Sequence, residues 1–250
     1  MKLKSLFALA LLLVSTPLYS GSKEFRADTQ KITGSGSMWV DYQFGRPGIY
    51  SQYFNDFHAP VASYSDFDTN EITGGGTATV VITDAALGIL LLTQNTPEDS
   101  SFNMQLPGES FIPTVSRNVF CEARLRLGEA TQQDILFGLV VRDTTPLAHT
   151  DGIVFQKDDG DTNWDFNVTS SSSLSTETAI ATANTTDFIK LGFKVIGRSV
   201  VEYWINDSKE GEFTTNIPTT ELTLTFISQN GSAGAKTGTS LDYLYCAQET

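Results

Sequence analysis

The chain has 250 residues, 40% hydrophobic and 11% aromatic, which is enough apolar material for a folded core. Its 16 basic and 29 acidic residues give a net charge of -13, so nucleic-acid phosphates repel it and we expect no nucleic-acid partner. Two Cys and two His exclude a disulfide-rich scaffold and a Cys-based zinc site, and they argue against most metalloenzymes and triad hydrolases. We therefore expect a soluble, acidic, β-rich protein.

Residues 1–22 have the pattern of a secretory signal. Lys2 and Lys4 form a positive start, an uncharged apolar run covers 6–14, and small residues precede a candidate cleavage point before Lys23. The apolar run is too short to span a bilayer and no Cys follows it, so we expect no stable membrane anchor. Two interpretations stay open: a leader that is removed on secretion, and an apolar arm that is retained.

Residues 23–70 begin polar and then become unusually aromatic, with a spacing that fits neither a helix nor a strand. We predict an amino-terminal arm or strap here, followed by one sandwich domain over 71–250, and we expect a chain starting near residue 71 to fold. The aromatic side chains require burial, either against the chain's own surface or against a neighbouring subunit, and both alternatives stay open. For the second alternative, the predicted anchors are Trp39, Tyr53, Phe54 and Phe57.

From about residue 72 the chain is a succession of strand patterns with almost no helix pattern. The clearest is VFCEARLRL at 119–127, where apolar residues alternate with Glu122, Arg124 and Arg126. Further strand patterns lie at 77–83, 135–143, 152–158, 163–169, 188–196, 200–206, 222–228 and 240–246, with Gly, Pro and Ser turns between them. Short strands, frequent turns and no fixed repeat predict an all-β fold, a two-sheet antiparallel β-sandwich of the jelly-roll class.

The order of these segments, VFCEARLRL, ILFGLVVRDT, DGIVFQKDDGDTNWDF and VEYWIND, resembles the concanavalin A-like lectin/glucanase sandwiches. It resembles more closely the jelly-roll proteins of tailed-phage virions, and YSQYFNDF at 50–57 is similar to the lead-in of those proteins. The resemblance implies a capsid-decorating or otherwise structural virion protein. Its partners would be other virion proteins or further copies of the chain, and it supplies no catalytic residues.

The lectin/glucanase resemblance raises the question of glycoside hydrolysis, which in retaining enzymes needs two carboxyl groups about 5–5.5 Å apart. A single strand would present them as alternating acidic residues on one face. No such run occurs, because Arg124 and Arg126 follow Glu122, and apolar and aromatic neighbours flank Glu202. We therefore expect no enzymatic activity.

The densest acidic cluster lies at 158–163, where Asp159, Asp161 and Asn163 have the alternate-residue spacing of the first half of a calcium loop. Trp164 stands where such a loop has Gly, and no bidentate Glu follows at the required distance. We favour a hairpin turn at Asp159 and Gly160 and expect no cofactor, with calcium at the three oxygen-bearing residues as the alternative.

Trp164 and Trp204 fall in strand patterns, where such rings more often fill a core. If a concave sheet face exposed them, they would stack on sugar rings, so both are candidate glycan-binding residues. Cys121 and Cys246 also fall in strands. They could pair in a secreted protein or remain buried thiols in a virion protein made in a cytoplasm.

These observations predict a non-enzymatic structural protein of the virion. The alternative is a secreted, extracellular glycan-binding module of the lectin type, whose partners would be surface glycans.

Overall fold

The computed structural model describes residues 38, 50–57, 66–72, 79–84, 88–94, 97–232 and 238–250 of the chain. In chain order its strands are β1 (Tyr50–Asn55), β2 (Asp68–Ile72), β3 (Thr79–Asp84), β4 (Ile89–Thr93), β5 (Ser101–Gln105), β6 (Val119–Arg126), β7 (Gln133–Val140), β8 (Gly152–Lys157), β9 (Asn163–Ser170), β10 (Ser173–Thr182), β11 (Ile189–Ile196), β12 (Val200–Ile205), β13 (Ser208–Phe213), β14 (Thr223–Asn230) and β15 (Thr239–Glu249). One 3-10 turn, Pro146–Ala148, lies between β7 and β8. Within these described ranges, no helix is long and apolar enough to cross a membrane.

The strands form two antiparallel sheets, which confirms the predicted sandwich. Sheet A has the order β13-β12-β11-β6-β15-β4-β3, and β1 also pairs with β15. Sheet B has the order β10-β9-β8-β7-β14-β5-β2. Neighbours in both orders are often distant in sequence, so most of the fold rests on long-range pairing.

The core lies between the sheets because side chains alternate across each strand. In β6, Cys121, Ala123 and Leu125 point inward with no exposed surface, while Glu122 and Arg124 lie on the other face. Aromatic rings fill the centre. The rings of this cluster are Phe137, Phe155, Phe166, Phe193, Tyr203 and Phe213.

Two segments of the aromatic stretch before residue 71 belong to the sandwich. β1 pairs with β15 over its whole length, from Tyr50 opposite Glu249 to Asn55 opposite Leu244. Phe57 has no exposed surface and lies in the main core, and Phe67 is 5% exposed in the same cluster. The sequence-based boundary at residue 71 therefore falls inside β2, and we now expect a chain that starts there not to fold cooperatively. The candidate leader, 1–22, lies outside the described residues.

Cys121 and Cys246 lie opposite each other on β6 and β15 and form a disulfide. The sequence had left this pairing open. The bond joins positions 125 residues apart, so it ties the last strand to the first long strand of sheet A.

Candidate functional site

The outer face of sheet B carries a row of polar side chains on β9. Trp164, Phe166 and Val168 point into the core. The residues between them therefore face outward: Asn163, Asp165, Asn167 and Thr169. Two neighbouring strands extend this row, because Gln156 of β8 is opposite Asp165 and Thr176 of β10 is opposite Asn167.

A pocket of about 580 Å³ lies over this row. Its floor is the outer face of β8 and β9, one wall is the turn at 147–150, and the other is β10. The side chains that line it are Leu147, Ala148, His149, Thr150, Gln156, Asp158, Asp165, Asn167, Thr169, Ser172, Leu174, Thr176 and Thr178. The volume falls in the range of small-molecule sites.

Two amides and a carboxylate form a hydrogen-bonded chain across the floor. Asn167 Nδ2 donates to Gln156 Oε1 at 3.3 Å, and Gln156 Nε2 donates to Asp158 Oδ1 at 2.7 Å. This order orients both amides, because each nitrogen is used within the chain. Asn167 Oδ1 is then left buried with no hydrogen-bond partner among the described residues. An orphaned acceptor costs free energy, and because this atom is itself buried, a ligand in the pocket could donate to it only if the side chain moved.

Asp165 shapes the rim of the pocket. Its Oδ1 accepts a hydrogen bond from the backbone nitrogen of Ala179 at 2.8 Å. The pairing of β10 with β9 shifts register between Glu177 and Ala181, and Ala179 has a φ of 57°. Burial raises the pKa of Asp165 above its usual range, and the nearby charges of Asp161 and Asp158 raise it further.

His149 lies at the other end of the pocket. Its Nδ1 lies 3.0 Å from the carbonyl oxygen of Pro146, which can only accept, so Nδ1 carries the proton. Nε2 then faces the hydroxyl of Thr169 at 3.5 Å. Burial lowers the pKa of His149, so the imidazole is neutral near pH 7. Gly152 permits this packing, since a Cβ there would lie 2.8 Å from Cδ2 of His149.

The candidate calcium residues form a turn. The backbone nitrogen of Asp161 donates to the backbone oxygen of Asp158 at 3.2 Å, which places Asp159 and Gly160 at the centre of the turn as predicted. Asp161 Oδ1 accepts from the backbone nitrogen of Asn163 at 3.0 Å and from its side-chain amide at 3.2 Å. In the part of the chain that the structure describes, no three His, Cys, Asp or Glu side chains are grouped as a metal site.

The acidic turn instead lies beside a buried cation. Lys157 is 1% exposed, and its Nζ donates to the backbone oxygens of Gln133 at 2.7 Å and Asp158 at 2.9 Å. Burial lowers the pKa of Lys157, while the carboxyl groups of Asp134, Asp159, Asp161 and Asp158 act against that shift. The ammonium therefore supplies positive charge on the core side of this turn.

The two tryptophans proposed for glycan stacking are buried, and that assignment is corrected. Trp164 has no exposed surface in the core. Trp204 is 6% exposed on the outer face of sheet A, opposite Gly192. Met38 covers this position, because a Cβ at Gly192 would lie 2.9 Å from Met38 Cε. Neither ring offers a face to a sugar.

The four predicted interface anchors do not form one surface patch among the described residues. Phe57 is a core residue, and Trp39 lies outside the described residues. Tyr53 packs edge-on against Phe67 with ring centroids 5.3 Å apart, and burial raises its pKa to about 12. Phe54 is 57% exposed and leans on Tyr245 at 5.9 Å. Contact with a neighbouring subunit stays a prediction, and among these four only Phe54 is seen to present an exposed ring.

The pocket residues were not predicted as a site from the sequence. Their signal was present as the polar alternation in NWDFNVT at 163–169 and as Gln156 in the preceding strand. His149 had no such signal, because only the folded turn brings it over β9.

By sequence, no known protein family and no curated protein matches the chain. By structure, the chain is similar to an endo-1,3-beta-glucanase from Streptomyces sioyaensis at 12% identity and a TM-score of 0.58, covering 81% of this chain and 98% of that one. It is similar to a beta-glucanase of Bacillus licheniformis at 12% identity and a TM-score of 0.54, covering 80% and 98%. The carbohydrate recognition domain of Emp47p matches at 11% identity and a TM-score of 0.56, covering 80% and 97%.

These comparisons correct one expectation. Glucanases share the fold over most of the chain, which contradicts the prediction that the protein is not an enzyme. That prediction rested on the lack of alternating acidic residues on one strand and of any sequence sign that carboxylates converge from separate strands, whereas Asp158 and Asp165 reach the same pocket from the β8 and β9 sides of a hairpin. The neighbours give no support to a virion role, which stays a prediction from sequence. The chain has the concanavalin A-like lectin/glucanase fold, with a polar pocket on the outer face of sheet B.

Proposed function

We propose that the chain is a carbohydrate-active protein that binds a glycan in the pocket over β8, β9 and β10. The observation that carries this proposal is the hydrogen-bonded chain from Asn167 through Gln156 to Asp158, which holds oriented polar groups on the floor of a preformed pocket. Sugars present many hydroxyl groups in fixed directions, so their recognition needs amides, carboxylates and hydroxyls that are already in place. The carbohydrate-binding and glucanase neighbours support this choice of ligand class.

The apolar part of the pocket suits the same ligand. Leu147 and Leu174 lie on its two walls, and Leu174 is 55% exposed. A pyranose ring has apolar C–H faces beside its hydroxyl edges, so it can place these faces on the leucines while its edges meet the polar floor. Burial of that apolar area adds to the hydrogen bonds.

Hydrolysis of the bound glycan is the second candidate function, favoured by the positions of two carboxyl groups. Asp158, just after β8, and Asp165, on β9, both line the pocket. Inverting glycosidases use two such carboxyl groups, about 6.5–9.5 Å apart. The raised pKa of Asp165 suits a general acid, and Asp158 would activate the water. Asp165→Asn should then abolish release of reducing sugar while leaving glycan binding in place.

Secretion is the proposed setting. The leader pattern at 1–22 and the disulfide between Cys121 and Cys246 both support it, since disulfides persist in oxidising compartments. The virion role would instead require self-association or capsid attachment. Light scattering of the wild-type protein and Phe54→Ser tests that alternative, because Phe54 is the exposed aromatic ring among the predicted anchors.

A glycan array with three proteins tests the binding proposal. We expect the wild-type protein to bind at least one oligosaccharide and Asn167→Ala to bind it about tenfold more weakly or worse, since loss of a good hydrogen-bonding group costs about 1–3 kcal/mol. Asn163→Ala is the matched control, because Asn163 lies on the same face of the same strand but outside the pocket lining. Absence of binding to every glycan, or equal loss in both variants, would contradict the proposal.

A further inference from the structure

We infer that the pocket selects glycans bearing amino groups, such as oligomers of glucosamine, and rejects glycans built from uronic acids. This inference rests on the proposed glycan binding and names its substrate class. It comes from the two carboxylates in the pocket and from the lack of Lys and Arg among the residues that line it.

The strongest polar groups of the pocket are acceptors. Asp165 Oδ1 takes a backbone hydrogen bond that fixes the carboxylate, leaving its second oxygen for a ligand. Asp158 likewise has one oxygen held by Gln156. A ligand rich in donors satisfies these atoms, whereas a carboxylate on the ligand would face them with further acceptors.

The charge of the pocket also favours a ligand with amino groups. Its lining residues include two Asp and no Lys or Arg. The nearby charges of Asp161 and Asp158 each raise the pKa of Asp165, so the negative charge in this region is mutually unfavourable. A ligand ammonium would relieve that repulsion, and a uronate would increase it.

Lys157 is the nearest lysine in sequence, and it is turned away. It precedes Asp158, but alternation along β8 places its side chain on the core side, where Nζ is held by the backbone oxygens of Gln133 and Asp158. The ammonium of Lys157 therefore lies on the core side of sheet B and makes no hydrogen bond to a pocket side chain.

Isothermal titration with three matched tetrasaccharides tests the inference: β-1,4-linked glucosamine, its N-acetylated and therefore neutral form, and β-1,4-glucuronan. At mildly acidic pH, where the sugar amine carries its proton, and at low salt, we expect the glucosamine oligomer to bind about tenfold more tightly than the neutral one, and the glucuronan oligomer not to bind. High salt should shrink the preference, because screening weakens the charge pair.

Asp165→Asn should weaken binding of the amino sugar at least severalfold more than it weakens binding of the neutral oligomer. Glu210→Gln is the control, since it removes one negative charge from an exposed position on sheet A. Asn167→Ala should weaken the amino and neutral oligomers alike.

The outcomes separate the two proposals. Equal affinity for amino and neutral oligomers, or tight binding of glucuronan, would overturn the charge selection and leave glycan binding intact. A different outcome is that Glu210→Gln weakens binding of the glucosamine oligomer as much as Asp165→Asn does, while Asn167→Ala leaves that binding unchanged. Such a result would show adsorption to an acidic surface and would also overturn the charge selection. Failure of all three oligomers to bind would contradict both proposals.

Discussion

The ammonium nitrogen of Lys157 lies 2.7 Å from the backbone oxygen of Gln133 and donates a hydrogen bond to it in the core. The same nitrogen donates to the backbone oxygen of Asp158 at 2.9 Å. Lys157 thus joins the hairpin turn after β8 to the start of β7, at a point where four Asp side chains act on its charge. A buried charge with this role stabilises the folded state only while its partners are present.

We predict that Lys157→Met destabilises the protein by about 2–4 kcal/mol, because the buried Gln133 carbonyl and the Asp158 carbonyl lose their donor and the acidic turn loses its cation. Chemical denaturation of both proteins measures this difference. Lys190→Met is the control. Its partner Asp207 is exposed, so the loss should stay within about 1 kcal/mol. Equal stability of Lys157→Met and wild type would show that the ammonium adds nothing.

The turn after β8 should not depend on metal. Asp161 is engaged by Asn163, and Asp134 Oδ1 accepts from the backbone nitrogen of Asp159 at 2.6 Å. We therefore expect EDTA to leave the melting temperature unchanged. A fall with EDTA that added calcium reverses would contradict this prediction, since a ligand bound only to the native state stabilises by mass action.

Phe57 anchors the segment before residue 71 to the core. We predict that Phe57→Ala destabilises the protein by about 3–5 kcal/mol, the usual cost of removing a buried aromatic ring. Phe54→Ala, three positions away and 57% exposed, should cost much less. A chain that starts at residue 71 should not melt cooperatively, because it lacks β1, Phe57 and Phe67. If that truncated chain melts cooperatively and Phe57→Ala has only a small effect, the segment before residue 71 is an arm that the core does not need.

His149 makes the stability of the folded protein depend on pH. Its folded pKa lies below the ordinary 6.5, so its contribution to stability is complete above that pH and is lost as the pH falls through the folded pKa. Asp151 is the nearby charge that opposes the shift. We predict that the wild-type protein loses its stability advantage over His149→Gln as the pH falls from about 7.5 to about 5. Melting temperatures across this range measure it, and parallel curves for the two proteins would contradict the assignment.

The sequence was sufficient for the fold because the interior strands bury one face completely. The nine predicted strand patterns all correspond to strands, as in β6 and β9. It missed six of the described strands, namely β1, β2, β4, β5, β10 and β13. β10 and β13 are largely exposed and polar, so their sequences lack the alternation that burial imposes on central strands. β1 was missed because its partner, β15, is almost 200 positions away.

Only part of the candidate site could have been predicted from the sequence. The polar alternation on β9 follows from strand geometry and could have been used to place Asp165 and Asn167 on one outward face. The wall of the pocket could not be inferred. The turn carrying Leu147 and His149 lies over β8 and β9 because of packing against Gly152 and bonding to Thr169, which are tertiary contacts.

The most direct test of the central claim is a map of backbone amide chemical shifts during titration with the glycan that binds most tightly in the array. We predict that the largest shifts fall on β8, β9 and β10, at Gln156, Asn167 and Thr176, and on the turn around His149. Shifts confined to sheet A, around Phe54, Tyr243 and Tyr245, would contradict the assignment of the pocket as the glycan site.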